Sequence, residues 1–128
     1  MNQEPTLYLL ADGDDVGSVL RLALLNNDLA KTREFHANVS AARRFVCSVI
    51  EDQMRGSVIF AGGDDVCAVV HEASVTPELL THIQDEYQRL AGRTLSIGVG
   101  ACPAEAYMAL HRAKLSGKSC FIIAGTTP

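Results

Sequence analysis

Two short acidic stretches hold the residue types best suited to chemistry: "DGDDVG" at residues 12–17 and "AGGDDV" at residues 61–66. In the second, Asp64 and Asp65 are adjacent, between the apolar runs "SVIF" and "VCAVV". Two like charges about 4 Å apart repel by roughly 4 kcal/mol at an effective dielectric near 20. A bound cation offsets that cost. Clustered carboxylates without histidine or thiolate suit hard divalent ions, Mg²⁺ or Mn²⁺. Two such ions about 3.5–4 Å apart activate an attacking hydroxyl and stabilise a leaving pyrophosphate. Gly62 and Gly63 allow a turn with positive φ and let a substrate approach the backbone. The plain alternative is a solvated Gly-Asp turn.

Two further features suit phosphate. After Asp15 the chain enters a helix through Val16-Gly17-Ser18, and free N–H groups at a helix start bind phosphate oxygens. In "ALHRAKLSGKS" (109–119), Lys114 lies on the last turn of a helix and Lys118 follows its glycine stop. Two lysines there could neutralise a triphosphate, or simply match the preference of cations for helix C-termini.

These residues converge only if the elements bring them together. "TLYLLA" (6–11) reads as a central strand, and 17–27 as a first helix ending at Asn26-Asn27-Asp28. A second helix spans about 31–54, with Phe35, Val39, Ala42, Val46, Val49 and Ile50 on one face and Gly56 as its stop. Strands 57–61 and 66–70 form a hairpin around the Gly-Gly-Asp-Asp turn. Thr76-Pro77 starts a helix to Ala91, 94–101 is a strand, Pro103 starts a helix to Ser116, and 119–124 is a last strand. The order is β-α-α-β-β-α-β-α-β; without the doubled first helix and the last α-β unit it is the ferredoxin-like β-α-β-β-α-β pattern, an α/β (α+β) fold with an antiparallel central sheet and helices packed on one face. There the first strand lies antiparallel to the third, so Asp12 comes beside Asp64 and Asp65.

Composition sets limits. A chain of 128 residues, 48% hydrophobic and 20% charged, reads as one globular domain. Its net charge of −4 argues against a general nucleic-acid binder. Cys47, Cys67, Cys102 and Cys120 include no C-x-x-C pair. They read as small buried hydrophobes in a reducing cytosol, hence a cytoplasmic protein. "MNQEPTLYLL" lacks the features of a signal peptide, and no run approaches the roughly 20 apolar residues of a membrane span. His36, His71, His82 and His111 show no ligand spacing and read as surface or rim residues. Tyr8, Tyr87 and Tyr107 read as partly buried, with one free to stack on a base. Arg21, Arg43 and Arg44 read as a solvated helix face or as phosphate contacts across a dimer.

Taken in order, "DGDDVG", "AGGDDV", "LSIGVG" and "AKLSGKS" resemble the palm-type nucleotidyl cyclases: the GGDEF diguanylate cyclases and the polymerase palm of type III CRISPR effectors. The nearest resemblance is to the minimal CRISPR polymerase family, mCpol, and it covers nearly the whole chain. It implies that Asp12 ligates metal, with the Gly13 carbonyl as a further ligand, and that Asp64 and Asp65 complete the site. One of those two would help deprotonate the attacking hydroxyl. Gly62 and Gly63 would lie along the nucleotide. Lys114 and Lys118 match the family's A-K-x-x-G-[KR] positions that hold the triphosphate. The stretch Asp14, Asp15, Val16 and Gly17 would bind nucleotide, its backbone around Val16 and Gly17 cradling phosphates; Asp14 matches a family acidic position.

The resemblance also implies a reaction. A ribose hydroxyl attacks an α-phosphate, pyrophosphate leaves, and a second transfer closes a ring. One small palm holds one nucleotide site, so a cyclic dinucleotide calls for a symmetric homodimer. The product would be a second messenger in antiviral defence, read by a separate effector. Where GGDEF proteins have Glu-Phe, this chain has Asp65-Val66, and "SVLRLALLNN" is apolar where guanine-reading residues should fall. ATP therefore becomes the expected substrate, as for the type III relatives with GGDD. The alternatives are a palm that binds a nucleotide or cyclic signal without turnover, and a GTP-using diguanylate-cyclase-like enzyme. A templated polymerase would need fingers and thumb, and a charge suited to gripping a duplex.

Overall fold

The structure is a computed structural model that describes residues 5–125. The first four residues of the stretch read against a signal peptide lie outside the described residues. The elements are β1 (Thr6–Gly13), α1 (Val16–Leu25), α2 (Leu29–Asp52), β2 (Ser57–Gly62) and β3 (Asp65–His71), then a 3-10 turn (Glu72–Ser74), α3 (Pro77–Ala91), β4 (Leu95–Gly100), α4 (Pro103–Leu115) and β5 (Phe121–Ile123). Local chemistry sets the boundaries. Asp28 caps α2 by accepting from the Lys31 amide at 3.0 Å, so the helix begins at Leu29, two residues earlier than the expected start. Thr76 caps α3 by accepting from the Leu79 amide at 3.2 Å, with Pro77 at the first helical position.

The sheet order is β2-β3-β1-β4-β5. All pairings are antiparallel except β4 with β5. The alternation of β1 sorts its side chains. Leu9 and Ala11 share a face with Ile97 and Val99 of β4 and with Val66 and Ala68 of β3. Against that face pack the α2 stripe foreseen from its spacing and Leu80, Ile83 and Tyr87 of α3. These residues form the core.

The expectation that all helices share one face holds for α2 and α3 but not for α4. Gly98 and Gly100 point to the opposite face, the one carrying Leu10 and Asp12. A Cβ on Gly98 would stand 2.2 Å from the Leu110 amide nitrogen and 2.4 Å from the Ala106 carbonyl, so α4 lies directly on that bare strip. The core face is already filled, which leaves the glycine face for the last helix. Of the four cysteines only Cys67 is buried; Cys102 is exposed just ahead of α4. Among the described residues no helix is long and apolar enough to cross a membrane.

Candidate active site

Asp12 is the penultimate residue of β1, and the antiparallel ladder places it opposite Asp65, the first residue of β3. Pairing puts both side chains on one face. Asp64 lies in the hairpin turn, where its carbonyl accepts from the Gly13 amide at 3.2 Å. One carboxylate oxygen from each of Asp12, Asp64 and Asp65 lies within 4.8 Å of the other two. Gly63 turns the hairpin with φ 58°, and nothing lies within 4 Å of where a Cβ would sit on Gly62 or Gly63. Arg43 of α2, read above as a solvated face or a cross-dimer contact, donates to the Gly63 carbonyl at 2.7 Å and ties the turn to the helix.

The electrostatics of the trio are those of a site short of positive charge. Burial opposes ionisation of Asp12, but hydrogen bonds with Asp65 and Lys114 hold it below the usual carboxylate range. Burial and the charge of Asp12 push Asp64 up to about 6. The hydrogen bond shared with Asp12, with burial added, pushes Asp65 up to about 7. Without a metal, Asp64 and Asp65 keep protons that an unfolded chain would release. Folded pKa values above the unfolded ones mean stability is lost as pH rises from about 4 through about 7. The melting temperature in EDTA should therefore fall across that window from this source. Saturating Mn²⁺ should flatten the slope, as the ion takes the place of the protons. Melting curves at stepped pH, with and without Mn²⁺, check both parts.

Asp14 departs from the nucleotide-binding expectation. It is 1% exposed, and its carboxylate is fully engaged. Oδ1 accepts from Ser96 Oγ at 2.8 Å and Lys114 Nζ at 2.7 Å; Oδ2 accepts from Thr94 Oγ1 at 2.7 Å and the Ser119 amide at 3.0 Å. Burial alone would raise its pKa, but these donors lower it. Asp14 thus joins the end of β1 to β4 and to the segment after α4, with no acceptor left for a nucleotide. Ser96, polar within the buried strand "LSIGVG", was the available signal for it.

Lys114 reaches the acidic pocket itself. Its Nζ lies 3.0 Å from Asp12 Oδ2 and also donates at 3.2 Å to the carbonyls of Asp12 and Gly13. The Gly13 carbonyl therefore faces the same ammonium group as Asp12. Lys118 pairs instead with Asp15, which also takes an ion pair from Arg93 at 3.1 Å. Arg93, not singled out in the sequence, further donates to the Asp14 carbonyl at 3.1 Å. Asp15 sits at φ 60° and its side chain makes no cap, so two cations flank the first turn of α1. Val16 turns its side chain into the core, leaving only its backbone to the loop. Gly17 is exposed, with an Arg21 guanidinium nitrogen 3.1 Å from its Cβ position.

Two adjoining clefts open beside the carboxylates. One, about 170 Å³, is lined by Asp12, Tyr107, Leu110, His111 and Lys114. The other, about 240 Å³, is lined by the acidic Asp12 and Asp65 together with the apolar and aromatic Leu10, Phe60, Val66, Tyr107 and Leu110. Tyr107 and Phe60 are exposed at its rim, Phe60 beside a break in the β2–β3 register. Tyr87, in contrast, is fully buried.

A sheet that sets an aspartate at the end of its central strand against an acidic hairpin defines the palm shared by GGDEF cyclases and CRISPR polymerases. The minimal CRISPR polymerase domain, mCpol, matches residues 8–124, and the chain belongs to this family. Solved structures share the fold at low identity. A chain of the Csm1–Csm4 cassette in complex with cA4 superposes with a TM-score of 0.67 at 20% identity, covering 96% of this chain and 21% of that one. The same cassette with one ATP gives a TM-score of 0.67 at 20% identity, covering 97% and 21%. The diguanylate cyclase SiaD from Pseudomonas aeruginosa, in complex with its activator SiaC, gives 0.66 at 16% identity, covering 93% and 50%. The chain thus spans about a fifth of the cassette chain and half of the cyclase chain. No curated protein matches the sequence.

Proposed function

We propose that this protein is a metal-dependent nucleotidyltransferase that condenses nucleoside triphosphates, ATP first among them, into a cyclic di- or oligonucleotide. The observation that carries this reading is the convergence of Asp12, Asp64 and Asp65 to within 4.8 Å beside an open glycine turn. The raised pKa values of Asp64 and Asp65 mark a site that lacks countercharge, and an all-oxygen donor set fits Mg²⁺ or Mn²⁺. Asp12, Asp64 and Asp65 would hold the ions, with the Gly13 carbonyl. When bound, the ions neutralise the phosphates and activate the attacking hydroxyl.

The remaining work belongs to the chain. The hydroxyl oxygen bonds to the α-phosphorus, its proton passes to Asp64 or Asp65, and the bond to the pyrophosphate oxygen breaks. Gly62 and Gly63 leave the nucleotide a flat approach. Lys114, Lys118 and Arg93 supply positive charge to the triphosphate, beside the backbone of Asp15, Val16 and Gly17. Asp14 keeps Lys114 in place. Positioning and fixed charge carry most of the catalysis. Ring closure draws on two copies in a homodimer, and the product acts as a second messenger of antiviral defence sensed by a separate effector. No template enters.

The test is product formation. The purified protein is incubated with each nucleoside triphosphate and Mg²⁺ or Mn²⁺, and products are identified by mass spectrometry. A new phosphodiester from ATP supports the reading; none from any of the four removes it. The cleft beside Asp12 suits the nucleoside. Base–aromatic stacking is worth about 1–3 kcal/mol, so Tyr107→Ala should raise KM roughly tenfold while kcat changes little. Steady-state kinetics separate the two parameters.

A further inference from the structure

Among the described residues, one buried side-chain polar atom has no hydrogen-bond partner: the hydroxyl of Tyr87. Tyr87 is 1% exposed, on the α3 wall of the core. Buried hydroxyls find partners as a rule, because an unmade hydrogen bond in the interior is costly. A phenylalanine would fill the same space without that cost, so the oxygen calls for a reason.

Its position supplies one. A Cβ on Gly13 would stand 2.4 Å from the Tyr87 hydroxyl oxygen and 3.2 Å from the Asp64 Cβ. The phenol and the Asp64 side chain therefore crowd the same side of Gly13, within a side chain's reach of each other. Gly13 has to be glycine for the hydroxyl to be there at all. As it stands, the Asp64 carboxylate is drawn toward Asp12, with which it shares a hydrogen bond. The four nearby carboxylates, Asp64 foremost, also add to burial in raising the phenol's pKa. The phenol therefore stays protonated and keeps a hydrogen to donate.

We propose that Tyr87 is a positioning residue of the metal site, its hydroxyl donating a hydrogen bond to the Asp64 carboxylate once a divalent ion draws that carboxylate out of its contact with Asp12. The inference rests on the metal site proposed above. A ligating carboxylate held by a second hydrogen bond is fixed in orientation, and loss of such a partner typically weakens metal affinity about 10- to 100-fold.

Tyr87→Phe tests it, because only the oxygen is removed. Two results are expected together. The metal-free variant should melt at the parent's temperature or above, since an unpartnered polar atom has gone. Its Mn²⁺ affinity, read by calorimetry or by the free-Mn²⁺ electron paramagnetic resonance signal, should fall about tenfold or more. Equal Mn²⁺ affinity in variant and parent overturns the proposal. A parent that binds no Mn²⁺ overturns the metal site as well, which distinguishes the two failures. A measurement on the unaltered protein guards against a variant that does not fold. Titration with Mg²⁺ should shift a tyrosine band in the near-ultraviolet difference spectrum, saturating with the ion. An unchanged band counts against the hydrogen bond.

Discussion

Asp64→Asn combined with Asp65→Asn is expected to lower product formation on the order of 10³-fold or more, to background, and to raise the melting temperature of the metal-free protein at pH 8. The two effects have one cause. Both carboxylates have raised pKa values because burial and Asp12 disfavour their charge. At pH 8 both are nonetheless ionised without metal, so their mutual repulsion bears fully on the fold. Asparagine keeps the shape and removes the charge, relieving that strain while removing the ligands. Activity and stability should therefore move in opposite directions. A merely structural role for the turn predicts that both fall. Melting curves in EDTA beside a product assay decide it, and turnover within tenfold of the parent would sink the catalytic assignment.

Asp14→Ala should have the largest effect on folding. Removing one partner from a buried charge pair costs about 3–5 kcal/mol, because the other charge is left uncompensated. Here Lys114 would keep only Asp12 as a counter-ion, which sets the loss toward the low end of that range, while Thr94, Ser96 and the Ser119 amide lose their acceptor outright. Against a typical total of about 5–15 kcal/mol, this is a large fraction of the stability. Asp14→Asn should be nearly as damaging. The lysine and the backbone amide can only donate, so an amide NH₂ would meet at least one donor head-on. Urea midpoints for the two variants check this; a loss below about 1 kcal/mol for alanine would show that the four contacts contribute little.

Much of this was legible in the sequence because it follows from strand order. Once the first and third strands are antiparallel neighbours, the end of β1 has to meet the β2–β3 turn, and Asp12 falls opposite Asp65. The α2 stripe was equally plain, since spacing alone marks a buried helical face. What the sequence hid was direction at the end of a strand. Asp14 and Asp15 are adjacent and identical in type, yet the first is buried and the second is turned outward by a left-handed backbone step. Arg43, Arg93 and Tyr87 reach the site from elements that no local motif connects to it. The far placement of α4 left a trace in "SIGVG", whose glycines alternate with core residues, but period-two glycine states only that something comes close, not what.

That alternation constrains how the site can be altered. Lys114 is delivered by a helix whose backbone rests on the strand at Gly98 and Gly100, with no intervening side chain to yield. Even one methyl group at Gly98 would lift the whole rod and carry the ammonium away from two aspartates that lie 102 and 100 residues earlier in the chain. Adjustment on the helix side is therefore coarse, all or nothing. In the hairpin Gly62 faces open space without the left-handed φ that holds Gly63 to glycine, so Gly62 is where small changes can be absorbed and where variants with graded activity should be sought.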